Sequence, residues 1–112
     1  MIFAEGAKRS DVRSVVDRAI SEQTIRFTDH ARLRLESRVY DHPHLDERDV
    51  FRILRKGKRD EDRDTWDHIR ERWSYVFSGL SYDGFRMRVC VALGDPTVVV
   101  TIVLPGDPDA PS

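Results

Sequence analysis

The spacing of apolar residues divides the chain into a helical first half and a strand-forming second half. Three segments place apolar residues on one face at helical spacing, which predicts amphipathic helices. These segments are residues 11–21, 29–39 and 47–56. The expected N-caps are Ser10, then Thr28 or Asp29, then Asp46. Gly57 is the expected C-terminal stop of the third helix, and the alternating residues 23–27 favour a short strand after the first.

From Trp66 onward the period of the pattern falls from 3.6 residues to 2. Alternation predicts strands at about 73–77 and 85–93, and a β-branched run predicts a third strand at 97–104. Helices followed by an antiparallel meander constitute an α+β domain. We expect residues 1–104 to form this single domain.

Two other segments are predicted to lie outside the ordered elements and outside any site. Residues 105–112 are rich in Pro, Asp and Gly, which predicts a flexible tail. The charged run between Lys58 and Asp67 is expected to be a solvated loop, so neutralising Arg63 within it should change nothing.

Composition restricts the function classes. With 19 Lys and Arg against 20 Asp and Glu, the formal net charge of the 112 residues is −1, so any nucleic-acid binding requires a local patch. The longest apolar stretch is too short to span a bilayer and residues 1–10 lack a signal-peptide core, so we expect a cytoplasmic protein without membrane contact. The single cysteine, Cys90, excludes an intramolecular disulfide and is expected to pack rather than to act as a nucleophile.

Only three of the 19 basic residues are lysines. Arginine binds phosphate and carboxylate bidentately, which makes this bias suggestive of an anion site. A GC-rich genome produces the same bias, so the position of the arginines and not their number must identify a site.

The second predicted helix carries a stripe of cationic and titratable residues beside its apolar stripe. On a helical wheel Arg34 and Arg38 lie about 40° and 80° from His30, next to the apolar positions. Successive members are about 6 Å apart along the helix, close to the spacing of adjacent phosphates on a single strand. The alternative is that the arginines pair with carboxylates and cover apolar surface with their stems, while His30 satisfies a turn.

The strand at 85–93 offers a second cationic pair. Its alternation turns Arg86 and Arg88 away from the helices, beside Cys90. They form either a positive patch or an ordinary solvated face with cross-strand ion pairs. The loop around His42 and His44 has poor spacing for a metal ion, so we expect no metal and no other cofactor.

The segment from Phe27 to Arg38 resembles the opening motif of the domain of unknown function 4258 family. The matching positions are Phe27, Thr28, His30, Ala31, Arg34 and Arg38. The capped helix Asp46 to Gly57 and the following meander are similar to the rest of the family pattern, over about residues 24–104.

The resemblance implies a helices-then-sheet fold similar to the RelE, MqsR and barnase group of small bacterial ribonucleases. In that group, toxins of toxin–antitoxin pairs cleave RNA without a metal. We therefore expect a metal-independent endoribonuclease whose partners are single-stranded RNA and a cognate antitoxin. The alternatives are a binding module for RNA or a protein on the same fold, and a plain structural domain.

Site roles follow from the chemistry of RNA cleavage. His30 is the expected acid or base, and its neighbouring arginines favour the base role. The other expected catalytic residues are Arg34, Arg38, Tyr75 and Arg86. Arg88 is expected to bind RNA phosphate, and Tyr75 to stack a base or bond a phosphate. No second acid or base is evident.

Overall fold

The helices and strands follow the predicted order, with three short elements added between the third helix and the meander. The computed structural model describes residues 6–37, 45–94 and 96–104. Within these ranges the helices are α1 (Val12–Ser21), α2 (Asp29–Ser37), α3 (Glu47–Lys56) and a short 3-10 helix, η1 (Glu61–Arg63). The strands are β1 (Arg26–Phe27), β2 (Lys58–Arg59), β3 (Thr65–Asp67), β4 (Arg72–Leu80), β5 (Arg86–Ala92) and β6 (Val98–Val103). The structure is therefore α+β, as predicted.

Helix α3 begins and ends where the sequence predicts. The Asp46 carboxylate accepts a hydrogen bond from the Arg48 amide at 2.9 Å, and the Asp49 carboxylate accepts one from the Asp46 amide at 2.9 Å. This reciprocal capping box satisfies two amides that the first helical turn leaves unbonded. Gly57 ends the helix, and the predicted inward residues Val50, Ile53 and Leu54 are buried.

Of the N-caps predicted for the other two helices, the one for α2 was correct and the one for α1 was wrong. Thr28 caps α2, because its hydroxyl accepts a hydrogen bond from the Ala31 amide at 3.0 Å. Helix α1 starts after Asp11, so the expectation of Ser10 as its cap was wrong. The Asp11 carboxylate does not cap the helix, since it binds the Arg9 guanidinium at 2.8 and 2.9 Å.

The strands form one mixed sheet in the order β1-β6-β5-β4-β2, with β3 also paired to β4. Strands β4, β5 and β6 form the predicted antiparallel meander. Strand β1 instead pairs in parallel with β6, with Arg26 opposite Val98. The sequence assigned no partner to this strand, because two residues have no periodicity from which to read one.

The charged run between Lys58 and Asp67 was expected to be a solvated loop, and this was wrong. It forms β2, η1 and β3, and both strands pair with the outer edge of β4. The pairing buries the Asp64 side chain completely. That carboxylate accepts hydrogen bonds from Arg59 at 2.7 Å and from the Val76 amide at 2.8 Å, and it lies 3.2 Å from the Lys8 ammonium.

The hydrophobic core lies on one face of the sheet. Helices α2 and α3 pack there against alternate residues of the central strands, such as Phe77, Val89 and Ile102, and α1 packs on α3. The opposite face of β4, β5 and β6 bears no α-helix among the described residues, and we call it the open face. No helix in the described ranges is long and apolar enough to cross a membrane.

Candidate functional site

The open face carries a cavity of about 690 Å³. Its floor consists of side chains that alternate with the core residues of the same strands. These are Ser74, Val76, Arg88, Cys90, Thr101 and Val103. The segment from Asp62 to Asp67, held at the edge of β4, forms one wall. The cavity therefore exists because the charged run adds to the sheet instead of extending into solvent.

Arg88 is the unusual residue of this floor. It lies opposite Ser78 of β4 and Val103 of β6, and only 8% of its surface is exposed. Its Nε has no hydrogen-bond partner, and no described carboxylate lies within 4 Å of its guanidinium. A buried cation without a partner is costly, so a position of this kind is suited to an anionic ligand.

Two more arginines lie beside Arg88. A smaller cavity of about 190 Å³ on the same face is lined by Arg63, Arg86 and Arg88, together with Ser78 and Asp60. Asp60 is already engaged, since its carboxylate is 3.2 Å from the Arg63 Nε. Three guanidinium groups against one carboxylate leave a local excess of positive charge. We call Arg63, Arg86 and Arg88 the arginine cluster.

The acidic residues of the larger cavity, Asp62, Asp64 and Asp67, all lie on the wall formed by residues 62–67, and hydrogen bonds stabilise the ionised carboxylates of Asp64 and Asp67. Burial by itself raises the pKa of Asp64, but hydrogen bonds from Arg59, the Val76 amide and Lys8 outweigh it and hold that pKa below its ordinary value. A hydrogen bond from the Arg70 amide, with further bonds from the Arg70 side chain and the Ile69 amide, lowers the pKa of Asp67. An anion is therefore best accommodated at the Arg88 end of the cavity.

Cys90 lines the cavity but does not present a nucleophile. Burial raises the pKa of its thiol to about 11, so the thiol stays protonated at neutral pH. This agrees with the packing role expected from the sequence.

The structure brings together only part of the predicted site. Arg86 and Arg88 share the open face, as the strand pattern predicts. His30 is exposed on the first turn of α2 and does not line the cavity. Arg34 is partly buried and its Nε donates to the Ile102 carbonyl at 3.4 Å, which places it along β6. Arg38 lies outside the described residues.

Tyr75 occupies the core side of β4. It is 3% exposed, and its hydroxyl accepts a hydrogen bond from the Arg9 amide at 3.0 Å. The ring is therefore enclosed, and in this structure it is not available to stack a base.

Arg63 is the site residue that sequence reasoning missed. It belongs to the charged run, whose pairing with β4 leaves no trace in the hydrophobic pattern. The expectation that its loss changes nothing stays a prediction, and the place of Arg63 beside Arg86 and Arg88 argues against it.

No cluster of three or more metal-ligating side chains occurs in the described ranges, and the predicted loop ligands His42 and His44 lie outside them. No known family model matches the chain, and no curated protein and no solved structure matches it significantly.

Proposed function

We propose that the protein binds single-stranded RNA on its open face and cleaves it as a metal-independent endoribonuclease of the bacterial toxin–antitoxin type, with a RelE/barnase-like arrangement of helices and sheet. One observation carries the proposal. Arg88 is nearly buried at the floor of an open cavity, the Nε of its guanidinium has no hydrogen-bond partner, and Arg63 and Arg86 flank it. Guanidinium groups in this arrangement suit a backbone phosphate, which they bind through paired N–H donors.

The overall charge supports a localised phosphate site. Because the chain has a formal net charge of −1, it offers no general attraction for nucleic acid. RNA affinity must then come from a few arginines, each of which displaces counterions from the backbone.

Cleavage would proceed by attack of the ribose 2′-oxygen on the adjacent phosphorus. The P–O bond to the 5′-oxygen of the next nucleotide breaks, and a 2′,3′-cyclic phosphate and a free 5′-hydroxyl form. A base takes the 2′-OH proton, an acid protonates the leaving oxygen, and the arginine cluster stabilises the charge on the pentacoordinate phosphorus. His30 is our proposed base because histidine is the side chain that most often acts as a general base. It lies on the exposed first turn of α2, outside the cavity, so the RNA must reach it from the open face.

The second candidate is an RNA-binding module on the same fold that does not cleave. The placement of His30 favours it, because no histidine is among the described residues that line the cavity. The two candidates share the arginine cluster and differ only in whether His30 acts on the bound RNA.

A binding and cleavage assay with purified protein tests both. The probes are a short single-stranded RNA and its non-cleavable 2′-O-methyl form, in EDTA, over a salt series. With about three to four phosphate contacts, log affinity should fall against log salt with a slope near −2 to −3. Arg88→Met should lose binding and cleavage, His30→Ala should lose cleavage alone, and Arg18→Gln should match the wild type because Arg18 is remote from the cavity and pairs with Glu22.

Each other result has a definite meaning. Binding without cleavage by the wild type would leave the second candidate, and equal cleavage by His30→Ala would remove His30 from the mechanism. Cleavage that stops in EDTA and returns with magnesium would refute the metal-independent reaction. Binding without a salt slope, or unaffected by Arg88→Met, would refute the RNA site.

A growth assay tests the toxin part of the proposal. Forced expression should arrest bacterial growth, and His30→Ala should relieve the arrest at an equal soluble level. Arg34→Lys should also weaken the effect, because a point charge does not reproduce a bidentate guanidinium. A small protein encoded by a neighbouring gene that suppresses the arrest would identify the antitoxin, whereas normal growth under wild-type expression would contradict a toxin.

A further inference from the structure

A second cationic cavity of about 350 Å³ lies where the end of α3 meets β2, β4 and β5. Four of its lining residues are cationic, and no acidic residue is among those described there. The four are Arg52, Lys56, Lys58 and Arg86. We call this cavity the basic cleft.

The cations of the basic cleft lack acidic partners. Within residues 6–37, 45–94 and 96–104, none of the four has a carboxylate oxygen within 4 Å. Their neighbours on α3 do: Arg48 binds Asp46 at 2.9 Å and Arg55 binds Asp17 at 2.9 Å. The excess charge is therefore specific to the cleft and is not a general property of the helix.

The dipole of α3 does not account for this excess. Cations near a helix C-terminus stabilise its unbonded carbonyl groups. Here Arg13 of α1 already fills that role, since its guanidinium donates to the Arg55 carbonyl at 2.6 Å and to the Gly57 carbonyl. Arg52, Lys56 and Lys58 remain available for an external anion.

The basic cleft is continuous with the arginine cluster. Ser78, Gly79 and Arg86 line both the cleft and the cavity that holds Arg63 and Arg88. The connection is shallow because two glycines meet there: a Cβ on Gly79 would lie 3.2 Å from the Gly57 Cα. The combined track passes from the open face around the end of the sheet to α3, which packs on the other face.

An exposed aromatic residue lies at the far end of the track. Tyr82 is 65% exposed, and the Arg52 guanidinium lies 4.8 Å from the centre of its ring. Tyr82, Arg52 and Lys56 line a further shallow cavity of about 240 Å³. An exposed ring beside cations is the arrangement on which unpaired bases stack.

We propose that an RNA strand held at the arginine cluster continues over Arg86 into the basic cleft, where Lys56 and Lys58 bind a second stretch of backbone and a base stacks on Tyr82. This inference rests on the proposed function and specifies its substrate as flexible single-stranded RNA of several nucleotides. A duplex is too stiff to follow a track that turns from one face of the sheet to the other, whereas a single strand is not.

The test compares two non-cleavable 2′-O-methyl RNAs, one of about four and one of about twelve nucleotides, within the usual footprint of a single-strand site. Wild-type protein should bind the longer RNA at least tenfold more tightly. The double variant K56Q/K58Q should lose that gain, and its salt slope for the longer RNA should be shallower by about 1.4, equivalent to two phosphates. Its affinity for the shorter RNA should be unchanged, because Arg88 and Arg63 are intact. Tyr82→Ala should also weaken only the longer RNA, and Arg18→Gln is the matched surface control.

The outcomes separate this inference from the proposed function. If K56Q/K58Q and Tyr82→Ala bind both RNAs as the wild type does, the basic cleft is not part of the track, while loss of binding in Arg88→Met would still support the RNA site. If the wild type binds neither RNA, the proposed function itself fails. Equal affinity for a duplex of the same length would overturn the single-strand geometry. Binding of an acidic peptide that K56Q/K58Q abolishes, with RNA binding unchanged, would assign the cleft to a protein partner instead.

Discussion

Replacing Asp64 by asparagine should destabilise the protein far more than removal of an ordinary surface carboxylate. The Asp64 side chain is fully buried and the paired Arg59 side chain is 18% exposed, so the variant leaves a largely buried cation without its counter-charge. Breaking a buried ion pair from one side typically costs 3–5 kcal/mol. We expect about 3 kcal/mol here, because Lys8 is 39% exposed and regains water. For a chain of this length that corresponds to a fall in Tm of roughly 10–15 °C.

The same substitution predicts how stability depends on pH. The pKa of Asp64 is lower in the folded protein than in the unfolded chain, where it is about 3.9. Its contribution is therefore fully present above that value and disappears as the pH falls through the folded-state pKa. Urea denaturation of wild type and Asp64→Asn at several pH values measures the difference in the free energy of unfolding. We expect the free energies of unfolding of the two proteins to be well separated at pH 7, to begin to converge below about pH 4 and to meet below the folded-state pKa of Asp64.

Asp17→Asn is the matched control for this experiment. Asp17 also pairs with an arginine, Arg55, but its side chain is 56% exposed, so its loss should cost less than about 1 kcal/mol. If Asp64→Asn proves as mild as Asp17→Asn, or if its effect persists unchanged at low pH, the buried charge cluster does not hold the charged run against β4.

Three further predictions concern stability and reactivity. Arg88→Met should preserve the free energy of unfolding or raise it by up to about 1 kcal/mol, because it removes a buried N–H without a partner. Urea denaturation measures this change, and a large loss would instead indicate a structural role for Arg88. Gly57→Ala should lower Tm, because the alanine Cβ would lie 2.5 Å from the Ile53 carbonyl oxygen and 2.6 Å from the Ser78 carbonyl oxygen. An unchanged melting curve would contradict this close approach. The Cys90 thiol, whose pKa is about 11, should react slowly with iodoacetamide at pH 7.5 in the folded protein and much faster in urea; equal rates would show that it is not shielded.

Local signals explain what the sequence predicted well. Helix α3 was correct at both ends because its cap, its apolar face and its terminal Gly57 lie within a dozen consecutive residues. The outward direction of Arg86 and Arg88 was correct because alternation along β5 is also local.

The features that were missed depend on distant partners. Strands β2 and β3 contain two and three residues, and their pairing with β4 is set by that strand's free edge and by the burial of Asp64. For the same reason the sequence did not associate Arg63 with Arg88, although that association creates the candidate site. Tyr75 followed the predicted alternation, but the alternation placed its ring in the core.

The position of β6 has a consequence for the order in which the protein folds. It follows every other strand in the sequence, yet in the sheet it lies between β5 and β1. Where β1 pairs with β6, the Arg26 amide donates a hydrogen bond to the Thr97 carbonyl. Closing this pair brings together residues separated by most of the chain, which has a high cost in conformational entropy. The hairpin of β4 and β5 can form from neighbouring residues, whereas β1 and α2 have no surface on which to dock until β6 is in place. During synthesis α2 must therefore wait, with its apolar face exposed, until β6 has left the ribosome. Helices α1 and α3 can pack earlier, because α1 packs on α3 and α3 on β4 and β5.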